Sequence, residues 1–346
     1  MSENQNQLQG PSELGCALVT GAAGALGPGL VHELVVAGYA VRAVDRYSAP
    51  HGTFPQCVES RKGDICDREF MKRAVQGMRV VFHLAARLHV INPGPELRSE
   101  YWRVNVEGTR TLTEECLAGG VQRLVFFSTI NVYGATPGSC ADEDTRPQPD
   151  SLYAETKLAA EEAVLGVKGS PIGIVLRMAA IYGPRMKGNY PRLVNALSQG
   201  WFVPVGDGHN RRTLIYEDDV VRAALSAATH PKAPGRVYNV SDGGIHKLCE
   251  VIASICAALG RRAPLFFLPT RPTRWATNAA DGLAKLAGRS LNLTTAVDKF
   301  VEDVAVSSER IRRELAFEPL YGLEEGWRRT VDALRAGTKS TGIAIY

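Results

Sequence analysis

The stretch 16-CALVTGAAGALGPGLVHELVVAGYAVRAVD-45 decides the fold of this chain. Cys16 to Thr20 is a short apolar run that passes directly into Gly21, Gly24 and Gly27, and Leu30, Leu34 and Ala37 then recur at helical spacing. Tyr39 to Val44 is a second strand-like run, ended by Asp45. Strand, glycine turn, helix and parallel strand make one right-handed crossover unit. In such a turn the glycines allow a tight reversal, room for a pyrophosphate against backbone N–H groups, and close packing of helix on strand. The helix N-terminus meets the phosphate charge with unpaired donors. Asp45 lies eighteen residues past Gly27, where a carboxylate can accept from both hydroxyls of an adenosine ribose. A glycine triplet alone is an ordinary turn; with its strand, helix and acid it points to a dinucleotide site.

Outward from this unit, 346 residues exceed one compact core, and the reading is one large domain with a smaller one. Hydrophobic content of 45% and a charged fraction of 22% suit an ordinary globular enzyme. A formal charge of +4 with scattered basic residues gives no nucleic-acid footprint. Seven cysteines without a C-x-x-C pair suggest neither a disulfide framework nor a zinc site, and no metal is expected. No run of about eighteen apolar residues exists to span a bilayer. Residues 1–14 are polar and read as disordered, residues 337–346 as a tail, and a reducing cytoplasm is the expected compartment.

Further along, Cys57 to Ser60 is a short third strand leading to Asp64 and Ile65. Asp64 has two readings, a contact to the adenine amino group or the N-cap of the helix from Arg68 to Gln76. Val80 to Ala86 is a buried-strand run whose small end lets a cofactor lie against backbone; His83 inside it reads as a satisfied core histidine. Gly108, inside a helix from Tyr101 to Leu117, costs about 1 kcal/mol against Ala, so something must approach closely there. Val121 to Thr129 is another buried strand, ending in Ser128 and Thr129. Asp150 or Ser151 then caps a helix carrying Tyr153 and Lys157 one turn apart, with Glu161 and Glu162 read as exposed.

A strand from Ile172 to Met178 runs into Ala180–Arg185, where glycine and proline become frequent. The dinucleotide domain is accordingly placed at 15–183 with a return segment at 212–241, and a mostly helical substrate domain at 184–211 and 242–336. The proline-rich stretch 264–293 admits a membrane-facing reading; its mix of Asn, Asp, Lys and Arg favours a folded helix instead.

The chemistry rests on position. A Tyr-x-x-x-Lys pair is common by chance, but here a hydroxyl, Thr129, ends a strand on the same sheet edge as the dinucleotide turn. Free tyrosine, with a pKa of about 10, is a poor base. A lysine ammonium one turn away and a positively charged nicotinamide both favour the phenolate. Tyr153 can then take a carbinol proton while hydride leaves the same carbon, with Thr129 holding the substrate oxygen and Lys157 the nicotinamide ribose.

The segments TGAAGALG, VDR, GDI, FHLAA, VNVEGT, FFSTINVYG, YAETK, LRMAAIYGPR, RRTLIYEDDV, YNVSDG and SSERIRRELAFEP, in this order from Cys16 to Leu334, resemble the extended short-chain dehydrogenase/reductases. These are NAD-dependent sugar-nucleotide epimerases, dehydratases and reductases. The resemblance implies an α/β Rossmann fold, a doubly wound parallel sheet with a smaller, mostly helical C-terminal domain. It also implies NAD held by Gly21, Gly24, Ala25, Leu26, Gly27, Asp45, Arg46, Asp64, Ile65, Leu84, Ala85, Ala86 and Asn105, with Tyr153 and Lys157. Asp45 would repel a 2′-phosphate, an effect that Arg46 partly offsets. Thr129, Tyr153 and Lys157 match the catalytic trio, and Asn189 and Arg212 match residues that hold a nucleotide diphosphate. Helices 102–117 and 153–165 resemble a dimer bundle, so a homodimer is expected.

Ile130 and Asn131 stand where dehydratases carry an Asp-Glu pair, which argues against dehydration. Ala180 replaces an asparagine that many epimerases use, and no Arg-Pro-Gly-Asp segment precedes Ser307. The expected activity is a nucleotide-sugar 4-epimerase. A 4-keto nucleotide-sugar reductase of surface polysaccharide synthesis and a 3β-hydroxysteroid dehydrogenase are the enzymatic alternatives, and a dinucleotide-sensing regulator is the non-enzymatic one.

Overall fold

The computed structural model describes residues 14–88, 95–166, 172–185, 189–200, 202–286 and 291–341. Most of the N-terminal stretch expected to be disordered lies outside them.

The opening unit forms as its pattern dictates. Strand β1 (Cys16–Thr20), helix α1 (Gly27–Val36) and strand β2 (Ala40–Asp45) follow in order, with Val19 beside Ala43 and Thr20 beside Val44 in parallel register. Then come β3 (Glu59–Lys62), α2 (Arg68–Val75), β4 (Val80–His83), α3 (Pro95–Tyr101), a π-helical turn at Trp102–Glu107, α4 (Gly108–Ala118), β5 (Arg123–Thr129), α5 (Leu152–Leu165) and β6 (Gly173–Met178). β7 (Ala180–Tyr182), α6 (Asn189–Gln199), β8 (Arg211–Arg212), β9 (Leu214–Tyr216), α7 (Glu217–Thr229) and β10 (Val237–Val240) complete the sheet region. The chain closes with β11 (His246–Lys247), α8 (Leu248–Leu259), α9 (Thr270–Leu286), α10 (Leu293–Val301), α11 (Glu309–Leu315) and α12 (Leu323–Thr341).

Seven strands form one parallel sheet in the order β10-β6-β5-β4-β1-β2-β3. This is the Rossmann arrangement, and its central strands are mostly apolar because helices cover both faces, with buried polar groups such as Thr20, His83 and Arg177 among them. On one face, Leu30, Val31 and Leu34 of α1 and Val220 to Ala228 of α7 pack against the sheet. On the other, Met71 of α2, Leu112 and Cys116 of α4 and Val164 of α5 do so. A third core gathers Tyr182, Leu197, Tyr216, Ile252, Ile255 and Trp327 from α6, α8, α12 and the β7–β9 pair.

Several element boundaries differ from the sequence reading for local reasons. β3 is an edge strand of alternating burial with the polar sequence ESRK, and it sits two residues later than the apolar signal placed it. Leu214–Tyr216 pairs with β7 outside the main sheet, whereas α7 returns to it. α12 continues through Thr341, beyond the expected start of the tail. Gly108 is needed as inferred, since a Cβ there would sit 2.9 Å from Ile65 Cδ1 and 3.3 Å from Cys66 Sγ.

Candidate active site

A cleft of about 540 Å³ opens at the carboxyl ends of the strands. It spans the point where chain order reverses between β1 and β4, the place where open parallel sheets bind ligands. Its first wall is the glycine turn. Gly21 takes φ +70°, and a Cβ on it would fall 2.6 Å from Ala85 N, so the ends of β1 and β4 meet only over glycine. Gly24 N donates to Gly21 O (3.0 Å). Gly27 does not line the cleft; it lets α1 press on β1, where a Cβ would lie 2.1 Å from Ala22 O. α1 has no side-chain cap and no acid in its first turn, and Pro28 follows its first residue. The helix therefore presents unpaired N–H groups to the cleft, a donor set that fits a pyrophosphate.

Asp45, Arg46, Asp64 and Ile65, expected on the adenosine side, all line the cleft. The Asp45 carboxylate accepts from Ala23 N (3.0 Å) and Tyr47 N (3.1 Å), which fixes it beside the turn. Asp64 accepts from Cys66 N (2.9 Å). Burial raises its pKa, but the Cys66 N–H and the nearby Arg103 outweigh burial and hold it below the usual value. The N-cap of α2 is Asp67, which accepts from Phe70 N (3.0 Å), leaving Asp64 to the cleft. His83 is fully buried between Thr20 Oγ1 (2.7 Å) and Thr109 Oγ1 (2.9 Å), and burial followed by the nearby Lys157 charge pushes its pKa down to about 3.

At the inner end, Leu84, Ala85, Ala86, Ser128, Thr129, Tyr153 and Lys157 converge. Ser151 caps α5 by accepting from Ala154 N (3.3 Å), and α5 delivers Tyr153 and Lys157 from successive turns. Thr129 Oγ1 accepts from Asn131 N (3.2 Å). The Lys157 ammonium lies 3.9 Å from the centre of the Phe126 ring. Burial pulls it down to about 7, opposed by Glu161, and burial aided by Tyr101 pushes the Tyr153 phenol up to about 12. The sequence reading has Lys157 and a positively charged nicotinamide together lowering Tyr153. With protein groups alone, desolvation wins, and ionising Tyr153 depends on added positive charge.

Residues 17–241 match the NAD dependent epimerase/dehydratase family. The chain belongs to that family. The 3β-hydroxysteroid dehydrogenase/Δ5→4-isomerase of Mycobacterium tuberculosis is 30% identical, covering 91% of this chain and 89% of its own. The UDP-glucose 4-epimerase of Vibrio cholerae is 27% identical over 91% and 94%. Among solved structures, MoeE5 in complex with UDP-glucose and NAD is 30% identical, with a TM-score of 0.73 over 93% of this chain and 99% of that one. The protein is thus an NAD-dependent enzyme of the extended short-chain dehydrogenase/reductase type.

Besides Gly27, three further expected site residues of this enzyme lie outside the cleft lining. Asn105 is buried in the π-helical turn, accepting from Arg87 N (2.7 Å) and donating to Arg87 O (3.2 Å) and Thr156 Oγ1 (3.1 Å). It does not line the cleft and instead joins the end of β4 to α5. Arg212 does not line it either. Its guanidinium donates to the carbonyls of Lys299 (2.9 Å), Phe300 (2.8 Å) and Glu302, capping the end of α10, where a cation is favoured. Asn189 is exposed at the start of α6, outside the cleft lining. Glu161, expected on the surface, is buried and clasped by Arg177 (2.7 Å), with Ser128 Oγ donating to it as well.

Sequence reasoning missed Arg185 and Glu217, which both line the cleft. The buried Glu217 carboxylate accepts from Arg185 N (3.2 Å) and pairs with its guanidinium at 3.0 Å. A Cβ on Gly29, in the first turn of α1, would stand 2.7 Å from that guanidinium. Arg185 therefore lies across the N-terminal end of α1. Its signal was the bare surface of Gly29, unreadable until the third dimension brought the two together. Among the described residues no group of three His, Cys, Asp or Glu side chains is placed to hold a metal.

Proposed function

We propose that this enzyme is a nucleotide-sugar 4-epimerase. The observation that carries the reading is that Thr129, Tyr153 and Lys157 line the same cleft as the glycine turn and Asp45. NAD, when bound, would supply the acceptor for the C4 hydride and its return to the opposite face of the keto intermediate. Tyr153 takes the proton from the C4 hydroxyl and Thr129 holds the same oxygen, while the Lys157 ammonium and the positive charge of a bound nicotinamide would together favour the phenolate against desolvation. The likeness to a UDP-glucose 4-epimerase and to MoeE5 in complex with UDP-glucose and NAD supports a nucleoside diphosphate sugar as substrate. Dehydration lacks its acid, since Ile130 is buried and the next cleft residue is the amide Asn131.

A second reading has its own observation. The wall beside the trio is apolar, with Leu88, Phe127, Met178 and Ile181, and the cation expected for a diphosphate, Arg212, is engaged at α10. That favours a 3β-hydroxysteroid-like alcohol, whereas a 4-keto reductase would use the same trio with NADH taken up and NAD⁺ released in each cycle. Mass spectrometry of the isolated protein, followed by incubation with UDP-glucose or UDP-galactose without added cofactor, with a 4-keto nucleotide sugar with and without NADH, and with a 3β-hydroxysteroid and added NAD, separates them. Co-purified NAD and interconversion of the two sugars are expected. Steroid oxidation with no sugar turnover, or strict dependence on added NADH, would replace the epimerase assignment.

The cytoplasmic compartment and the homodimer belong to the same proposal. All seven cysteines are unpaired thiols, which suits a reducing environment, and α4 and α5 pack side by side as a bundle of two.

A further inference from the structure

The layer formed by α9 and α10 is built inside out. The polar side of α9 faces α10: Asp281 accepts from Leu293 N and Thr294 N (both 2.9 Å), and Thr277 meets Thr294 (3.2 Å). The opposite side carries Pro272, Trp275, Ala276, Ala279 and Leu283 at helical spacing, and it faces outward, with Trp275 78% and Leu283 68% exposed. The segment leading into α9 adds Leu265 at 88% and Phe266 at 81%. A helix of a globular protein normally buries this face. Exposed apolar side chains of this number and size mark an interaction surface.

Charge selects the partner. Residues 261–300 hold seven Lys and Arg against two Asp, and the rest of the chain holds 33 against 34, so the positive charge of the whole molecule resides in this layer. This corrects the impression of scattered basic residues. Arg271 and Lys285 edge the apolar face of α9, and Arg261 and Arg262 precede it, all exposed, while Arg274 pairs with Asp298 of α10 (2.9 Å). Two copies meeting face to face would oppose like charges. An anionic surface with an apolar interior complements both features, and Trp is the residue that settles at such a boundary.

We propose that α9, with Leu265 and Phe266, docks this enzyme on anionic lipid bilayers as a peripheral, interfacial helix. No helix among the described residues is long and apolar enough to cross a membrane, and docking does not need one. The layer is also tied to the catalytic helix. Lys299 of α10 bonds Asp150 (2.6 Å), next to the Ser151 cap of α5.

The test is co-sedimentation of the full chain with vesicles of phosphatidylcholine alone or mixed with phosphatidylglycerol. Binding to the anionic vesicles, weakened by salt, is expected, with little to the neutral ones. Trp275→Ser combined with Phe266→Ser should lower the bound fraction about tenfold, and so should Arg271→Glu combined with Lys285→Glu. NADH titration should be unchanged in both variants, which confirms their folding and keeps this result separate from the substrate assignment. Equal sedimentation of wild type and variants, or none with either vesicle, would overturn the proposal. So would a concentration-dependent oligomer that the Trp275→Ser and Phe266→Ser changes dissolve, because the face would then belong to a second copy.

Discussion

Tyr153 is asked to act as a base although burial drives its phenol up to about 12, and that tension defines its role. Tyr153→Phe keeps the ring and removes the proton acceptor. NAD should bind as before while turnover falls about 10²- to 10⁴-fold, the usual worth of a positioned acid or base. Near-normal turnover would end the assignment. Arg185 makes a different claim, on binding. It lies over the first turn of α1 and is held there by Glu217, so Arg185→Ala should weaken NAD about 10- to 100-fold, the worth of one charge-assisted hydrogen bond. Isothermal titration with NAD decides it, and an unchanged dissociation constant would reduce the pair to a structural clasp. Asp45 was legible from its place at the end of a strand, because sheet ends are fixed by local pattern. Arg185 and Glu217 were not, because their meeting with Gly29 joins three distant segments.

At the scale of elements, α5 is anchored by a buried network rather than by an apolar stripe. Arg177 of β6 donates to Glu161 (2.7 Å) and to the Tyr133 hydroxyl (2.8 Å), and Tyr133 donates in turn to Asn239 of β10 (2.9 Å). Glu161 is one turn beyond Lys157, so the network sets the height of the catalytic helix against the sheet. Arg177→Met leaves a buried carboxylate unpaired and should cost roughly 3–5 kcal/mol of stability. Replacing both partners together, Arg177→Met with Glu161→Leu, should recover much of the loss, as urea denaturation would reveal; equal destabilisation by single and double changes would argue against a coupled pair. The same network explains a misreading. A Glu-Glu pair on a helix normally faces water, and only the arginine sixteen residues later, on a strand, draws one of them inward. The strands β1, β4, β5 and β6 were legible because unbroken apolar runs leave few alternatives, whereas the polar edge strand β3 and the short β7–β9 pair carry no such signal.

The whole molecule carries a built-in sensitivity to acid, centred on His83. Its imidazole sits between β1 and α4 with both nitrogens bonded to hydroxyls, and it stays neutral in the native state down to about pH 3. In the unfolded chain the same group takes a proton near pH 6.5. Between those values the unfolded state binds more protons, so stability is complete above about pH 6.5 and drains away as pH falls toward 3. At about 1.36 kcal/mol per unit, roughly 2 kcal/mol is gone by pH 5. Asp303 and Glu59, each held below its usual value when their arginine partners outweigh burial, add losses of the same sign at lower pH. Glu217, raised by burial, opposes them there. His83→Gln retains hydrogen-bonding capacity between Thr20 and Thr109 without a titrating ring. The variant should be less stable at pH 7, and its melting temperature should fall less steeply than that of the wild type between pH 6.5 and 4.5. Parallel melting curves across that window would remove His83 as the source and leave the carboxylates to account for acid lability.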